Sequence, residues 1–87
     1  MKFAVRVEVR LRPGISDPQG ATIERALPAL GFDGVSGVRA GKSFRFTVEA
    51  ADEATARART CSLTDRLLAN PVIEEAEVEV TRIGDAA

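Results

Sequence analysis

From Lys2 to Leu11 the side chains alternate without a break, with Phe3, Val5, Val7, Val9 and Leu11 on one side and Lys2, Ala4, Arg6, Glu8 and Arg10 on the other. A period of two over ten residues fits only a strand with one buried face, so the chain must build a sheet and cover one side of it. Its 87 residues leave room for one core. A domain of this size buries only about 60–65% of the surface of its unfolded chain, which makes association with another subunit the first expectation. Twelve Lys and Arg against thirteen Asp and Glu give a net charge of -1. That balance lacks the positive field that nucleic acids or an anionic membrane surface would require, so neither is expected as a partner. There is no His and a single Cys, Cys61, which excludes a disulfide within the chain and histidine acid–base catalysis, and leaves too few ligands for a zinc site. The segment Met1 to Arg6 mixes charge with hydrophobicity and forms neither a signal peptide nor a spanning helix, so a cytoplasmic location is expected.

Further along, Arg12-Pro13-Gly14 breaks the strand period, and Ser16-Asp17-Pro18 supplies a helix N-cap with proline at the first helical position. Ile23, Leu27 and Leu30 make an apolar stripe, and Gly31 stands where a left-handed cap would end the helix. Pro28 removes one backbone hydrogen bond and predicts a kink or a loosened last turn. Between Phe32 and Gly41, glycines at 34, 37 and 41 predict a bulged or edge strand. Gly41-Lys42-Ser43 would then turn into a regular strand with Phe44, Phe46 and Val48 inward. Asp52 caps a second helix reaching about Leu68, with two apolar rows, Ala56-Thr60-Leu63-Leu67 and Ala54-Ala58-Cys61-Leu68. Asn70-Pro71 ends it, Val72 to Thr81 alternates as a last strand, and residues 81–87 read as a frayed tail. The order βαββαβ across 1–87 predicts one α+β domain of ferredoxin-like type, an antiparallel sheet with two helices on one face.

Constellations that would carry chemistry each have a plainer reading. Gly41-Lys42-Ser43 lacks the first glycine of a phosphate loop, since position 36 is Ser36, and it leads into a strand. Phe44 and Phe46 share the phase of Val48, so they belong to the core rather than to a base-stacking sheet. Glu74, Glu75, Glu77 and Glu79 read as a solvated sheet face opposite Arg6, Arg10 and Arg45, worth about 0.2–1 kcal/mol per good pair. Cys61, in mid-helix without any histidine to activate it, reads as a small buried or interface hydrophobe.

Three segments, Asp17-Pro18-Gln19-Gly20, Val38-Arg39-Ala40-Gly41-Lys42 and Leu67-Leu68-Ala69-Asn70-Pro71-Val72-Ile73-Glu74, stand in an order and spacing that resemble the PurS family. This is the small subunit of phosphoribosylformylglycinamidine synthase. The resemblance runs from the first strand to about Val80. It implies a non-catalytic assembly subunit of a glutamine amidotransferase, a ligase complex of de novo purine biosynthesis. There a homodimer or higher homo-oligomer bridges a PurQ-type glutaminase and a PurL-type synthetase and supports ammonia transfer. Cofactors are then expected in the partner alone, ATP and Mg²⁺ on the large subunit. The family brings no catalytic residue to carry across. The expected partner contacts are Asp17, Gln19 and Gly20 at the start of the first helix, Arg39, Gly41 and Lys42 at the hairpin, and Asn70 and Pro71 before the last strand, although capping, turn geometry and helix termination explain each cluster without a partner. Edge strands or the charged sheet face would join two copies. Two other readings share the fold. An ACT-like regulatory module would bind a small molecule between subunits, and Arg12-Pro13-Gly14 fits its turn. An acylphosphatase-like enzyme would need N–H groups after the first strand, where Pro13 has none.

Overall fold

The computed structural model describes residues 1–84, and the end of the expected tail, 85–87, lies outside the described residues. The first strand, β1 (Lys2–Leu11), is central in a three-stranded antiparallel sheet of order β2-β1-β3, flanked by β2 (Gly41–Glu49) and β3 (Glu74–Arg82). β3 runs through Thr81, where the alternation ends, to Arg82 in the expected tail, because Ala4 and Phe3 of β1 continue the ladder opposite them. Helix α1 (Pro18–Ala26) joins β1 to β2, and α2 (Glu53–Leu63) joins β2 to β3. Phe3, Val5, Val7 and Val9 are all buried under α2 with Ala56 and Val80, so the strict alternation in β1 is the seam of the core.

Both helix starts follow their caps. The Asp17 carboxylate accepts from Gly20 N–H and that of Asp52 from Thr55 N–H, satisfying first-turn donors that have no partner inside the helix. Pro28 loosens the last turn as expected. The helix stops at Ala26, Pro28–Leu30 form one turn of 3₁₀ helix, and Gly31 follows at φ 90°.

Within the α+β class two details differ from the reading of the sequence. Residues 32–40 form no strand. Gly34 and Gly37 sit at φ 81° and 70°, in the left-handed region that interrupts extended backbone. Val38 and Ala40 also give their N–H groups to the Glu24 and Asp17 carboxylates rather than to a neighbouring strand. Gly41, Lys42 and Ser43 are therefore no hairpin turn but the first residues of β2, opposite Arg10, Val9 and Glu8.

The second detail is the buried side of α2. Ala56, Thr60 and Thr64 are buried at i, i+4 and i+8, while Leu63, Leu67 and Cys61 face solvent. Small side chains let α2 lie close on the sheet, and the molecule is only 15 Å thick. From Thr64 to Leu68 the helix widens into a π turn closed by Ala69 N–H donating to the Thr64 carbonyl. Thr64 Oγ1 donates to the Thr60 carbonyl, but Thr60 Oγ1, fully buried, has no partner among the described residues. An unpaired buried hydroxyl is a cost, so Thr60→Val should leave stability unchanged or raise it by up to about 1 kcal/mol. Urea unfolding measures this, and a loss larger than that would mean the hydroxyl is bonded in solution.

The α1 stripe does not reach the sheet. Ile23, Leu30, Phe32 and Val35 are 43%, 68%, 58% and 48% exposed, and Gly20 is the one buried residue of α1. Residues 12–40 thus leave the sheet as an arm, and the molecule extends 51 Å along its longest axis. Its radius of gyration is 17.0 Å, where a compact domain of this length has about 12 Å. The accessible surface of 6173 Å² likewise exceeds the roughly 5,000 Å² of a compact monomer of this mass.

Candidate functional site: the arm junction

The arm is welded to the sheet where β1 ends and β2 and β3 begin, and most of the residues singled out in the sequence meet there. Asp17 is the hub, its side chain 6% exposed. Oδ1 accepts from Gly20 N–H at 3.0 Å and Oδ2 from Ala40 N–H at 2.7 Å, while Arg39 Nε stands 3.9 Å away. The N–H donation from Gly20, then that from Ala40, holds the Asp17 carboxyl below its usual range, with a smaller push from Arg39. One carboxylate therefore caps α1 and also ties down the segment entering β2.

Gly20 and Gly41 are required by close approach rather than by unusual backbone angles. A Cβ on Gly20 would stand 2.5 Å from both Asp17 Oδ2 and the Val38 carbonyl oxygen, and one on Gly41 2.7 Å from the Val9 carbonyl oxygen. Arg39 Nη2 donates to the Ile15 carbonyl at 3.2 Å, closing the loop before α1. Lys42 Nζ lies 3.8 Å from Glu74 Oε2, bridging the starts of the two outer strands. Gln19, Gly41, Lys42 and Glu74 line a shallow hollow of about 280 Å³ at this junction, open to solvent.

Asn70 and Pro71 lie at the same end of the sheet, in the turn that enters β3. The Asn70 carbonyl accepts from Ile73 and Glu74 N–H, its Oδ1 accepts from Val72 N–H, and its own N–H donates to Glu74 Oε1 at 2.8 Å. This tight turn starts β3 at Glu74 instead of Val72. The Arg12 guanidinium forks onto the Pro71 carbonyl with Nε at 3.1 Å and Nη2 at 2.9 Å. Sequence reasoning missed Arg12, Glu24 and Glu74 as partners of these clusters. The N-P-x-x-E spacing of Asn70 and Glu74 offered a signal, whereas nothing local marks Arg12 or Glu24, whose partners are 59 and 14 residues away.

On the outer face of the sheet, Arg6 pairs with Glu79 at 3.1 Å and Arg10 with Glu75 and Glu77 at 3.2 and 3.3 Å. Arg45 does not join them, because β1 separates β2 from β3 and its register neighbour is Arg6.

The chemistry available at the junction is structural. Its carboxylates are engaged by backbone N–H groups and cations, and among the described residues no group of three or more His, Cys, Asp or Glu is placed to hold a metal ion. Cys61 is exposed, so of the two expected readings, buried or interface hydrophobe, the structure excludes burial within the chain. No helix among the described residues is long and apolar enough to cross a membrane.

Comparison with known proteins places this architecture. The family described as "PurS: Phosphoribosylformylglycinamidine (FGAM) synthase" matches residues 4–82. The PurS subunit of the Synechocystis synthase is 47% identical over 97% of this chain and 84% of its own, and that of Methanocaldococcus jannaschii 35% identical over 93% and 98%. Among solved structures, Bacillus subtilis PurS superposes with a TM-score of 0.82 at 34% identity, covering 92% of this chain and 99% of that one. A chain of the PurLQS structure from Thermotoga maritima superposes with a TM-score of 0.85 at 36% identity, covering 92% and 98%. With the fold and nearly the full length shared, the chain belongs to the PurS family.

Proposed function

We propose that this protein is the small, non-catalytic assembly subunit of a phosphoribosylformylglycinamidine synthase. In this role it works in the cytoplasm, holds a PurL-type synthetase and a PurQ-type glutaminase together and supports transfer of ammonia between them. The relatives are named as subunits of that synthase, and the Thermotoga maritima neighbour comes from a structure titled as PurLQS. The observation that carries the reading is the arm. Residues 12–40 spend the internal hydrogen bonds of Asp17, Glu24 and Arg39 on holding α1 away from the sheet, so that Ile23, Leu30 and Phe32 face outward. A fold that rigidly presents apolar surface is suited to docking. In this reading ATP and Mg²⁺ are used by the large partner subunit.

Reconstitution tests this directly. Purified synthetase and glutaminase should make little amidine from glutamine alone, and adding this chain should raise the rate at least tenfold while leaving ammonia-driven synthesis nearly unchanged. An equal glutamine-dependent rate without the chain would overturn the reading.

A further inference from the structure

The outer face of the sheet, turned away from α2, holds one pair of side chains that the fold leaves unbalanced. Register sets Arg45 of β2 directly opposite Arg6 of β1. The Met1 carbonyl accepts from Ala50 N–H, so odd residues of β1 bond to β2 and Arg6 stands at a non-hydrogen-bonded position, where facing Cα atoms approach to about 4.5 Å. Like charges facing each other at such a position are destabilising. Glu79 relieves Arg6 at 3.1 Å, but among the described residues no carboxylate lies within salt-bridge distance of Arg45. The row Arg45-Arg6-Glu79 therefore keeps an excess of one positive charge, and a guanidinium cannot shed it by losing a proton.

That row borders a hollow. The next row across the same face, Thr47-Ala4-Thr81, consists of small side chains, and with the arginines it lines a shallow depression of about 400 Å³. We propose that this depression binds a small phosphomonoester, its phosphate held by the Arg45 and Arg6 guanidiniums with the Thr47 and Thr81 hydroxyls beside it. A phosphate group close to dianionic at neutral pH supplies the charge that the arginine pair lacks. Its three terminal oxygens accept from two guanidinium forks and a hydroxyl together, which the two oxygens of a carboxylate do less fully. The depression has room for more than a phosphate, so the rest of the ester lies over Ala4. The charges around it select a small ligand over a broad acidic protein surface. Toward the arm, the neighbouring rows set Glu8, Glu75 and Glu77 against the single cation Arg10, and an extended anion would meet that acidic stretch. On the other side Lys2 stands opposite Glu49, and the two cancel. The site lies apart from the arm and its junction, and it does not rest on the assembly role.

The test is an NMR titration of the isotope-labelled chain, at low salt and with no enzyme present, against glucose 6-phosphate, inorganic phosphate and glucose. Glucose 6-phosphate should give saturable shifts at Ala4, Arg6, Arg45, Thr47 and Thr81 with a dissociation constant of about 1 mM or tighter. Inorganic phosphate should move the same signals more weakly, and glucose should move none. Arg45→Gln should weaken binding about tenfold or more, and Arg45→Lys, which keeps the charge but loses the fork, about threefold or more. The urea midpoint of both variants reports that they fold, and for R45Q it should be unchanged or raised, because the charge opposed to Arg6 is gone. Arg66→Gln makes the same change of charge at an exposed residue beyond α2 and should keep the affinity within about twofold of the native value. Shifts that do not saturate, shifts spread over exposed arginines generally, or an equal loss in R66Q would overturn the site. An ester that binds no tighter than inorganic phosphate would overturn its assignment as the ligand. None of these results depends on amidine synthesis, so a failed reconstitution beside an intact site would count against the enzymatic role alone.

Discussion

Gly20→Ala is expected to cost about 2–3 kcal/mol of folding stability, read as a lower urea midpoint. The sign makes the test sharp. Gly20 lies inside α1, where helix propensity by itself favours alanine over glycine by about 1 kcal/mol. The added methyl, however, would stand 2.5 Å from both Asp17 Oδ2 and the Val38 carbonyl oxygen. Neither neighbour moves freely: Asp17 is held by Gly20 and Ala40 N–H, and Val38 by its own N–H donated to Glu24. The strain therefore spreads into the cap, the strap at 38–40 and the seat of the whole arm. Unchanged or raised stability would mean that the junction is looser than its geometry indicates.

The second large effect concerns assembly and not folding. Leu30→Asp combined with Phe32→Asp should reduce incorporation into the synthase about a hundredfold, with the unfolding midpoint of the isolated chain nearly unchanged. Both residues are more than half exposed, so a charge there costs the free subunit little. Large apolar groups at the centre of a contact commonly carry about 2 kcal/mol each, which for two corresponds to a loss of two to three orders of magnitude in affinity. Titrating the variant into synthetase and glutaminase, with glutamine-dependent rate as readout, measures it. A variant that assembles at native concentrations would show that the arm is not the docking surface.

Much of the architecture could be read from periodicity. Phe3, Val5, Val7 and Val9 lie in the core, as their strict alternation requires, and Asp17 and Asp52 cap helices that begin one residue later. Pro28 loosens the last turn of α1 because a residue without an N–H cannot continue its ladder. The reading went astray where local pattern was weak or its partner distant. Residues 32–40 have short apolar stretches like those of an edge strand, but their N–H groups are claimed by Asp17 and Glu24, side chains on another element. In α2 the expected row Ala56-Thr60-Leu63-Leu67 holds for Ala56 and Thr60, yet Leu63 and Leu67 are exposed and Thr64 is buried in their place. The space between helix and sheet admits only small side chains, a constraint that hydrophobicity does not encode.

Of the candidate residues, Asp17, Gly20, Arg39, Gly41 and Lys42 converge at the junction, with Gln19 at its rim and Asn70 and Pro71 on the adjoining turn. Their spacing in the chain showed that they belong to three turns. It did not show that one carboxylate closes two of them, because a hydrogen bond across 23 residues leaves no periodic trace.

Sequence alone determined β1, β2, β3 and the helix caps, since each follows from side-chain chemistry within a few positions. Tertiary structure decided that α1 stands away from the sheet and that residues 32–40 form no strand. Both outcomes depend on which distant groups satisfy a backbone N–H or C=O, a competition settled only when the whole chain is folded.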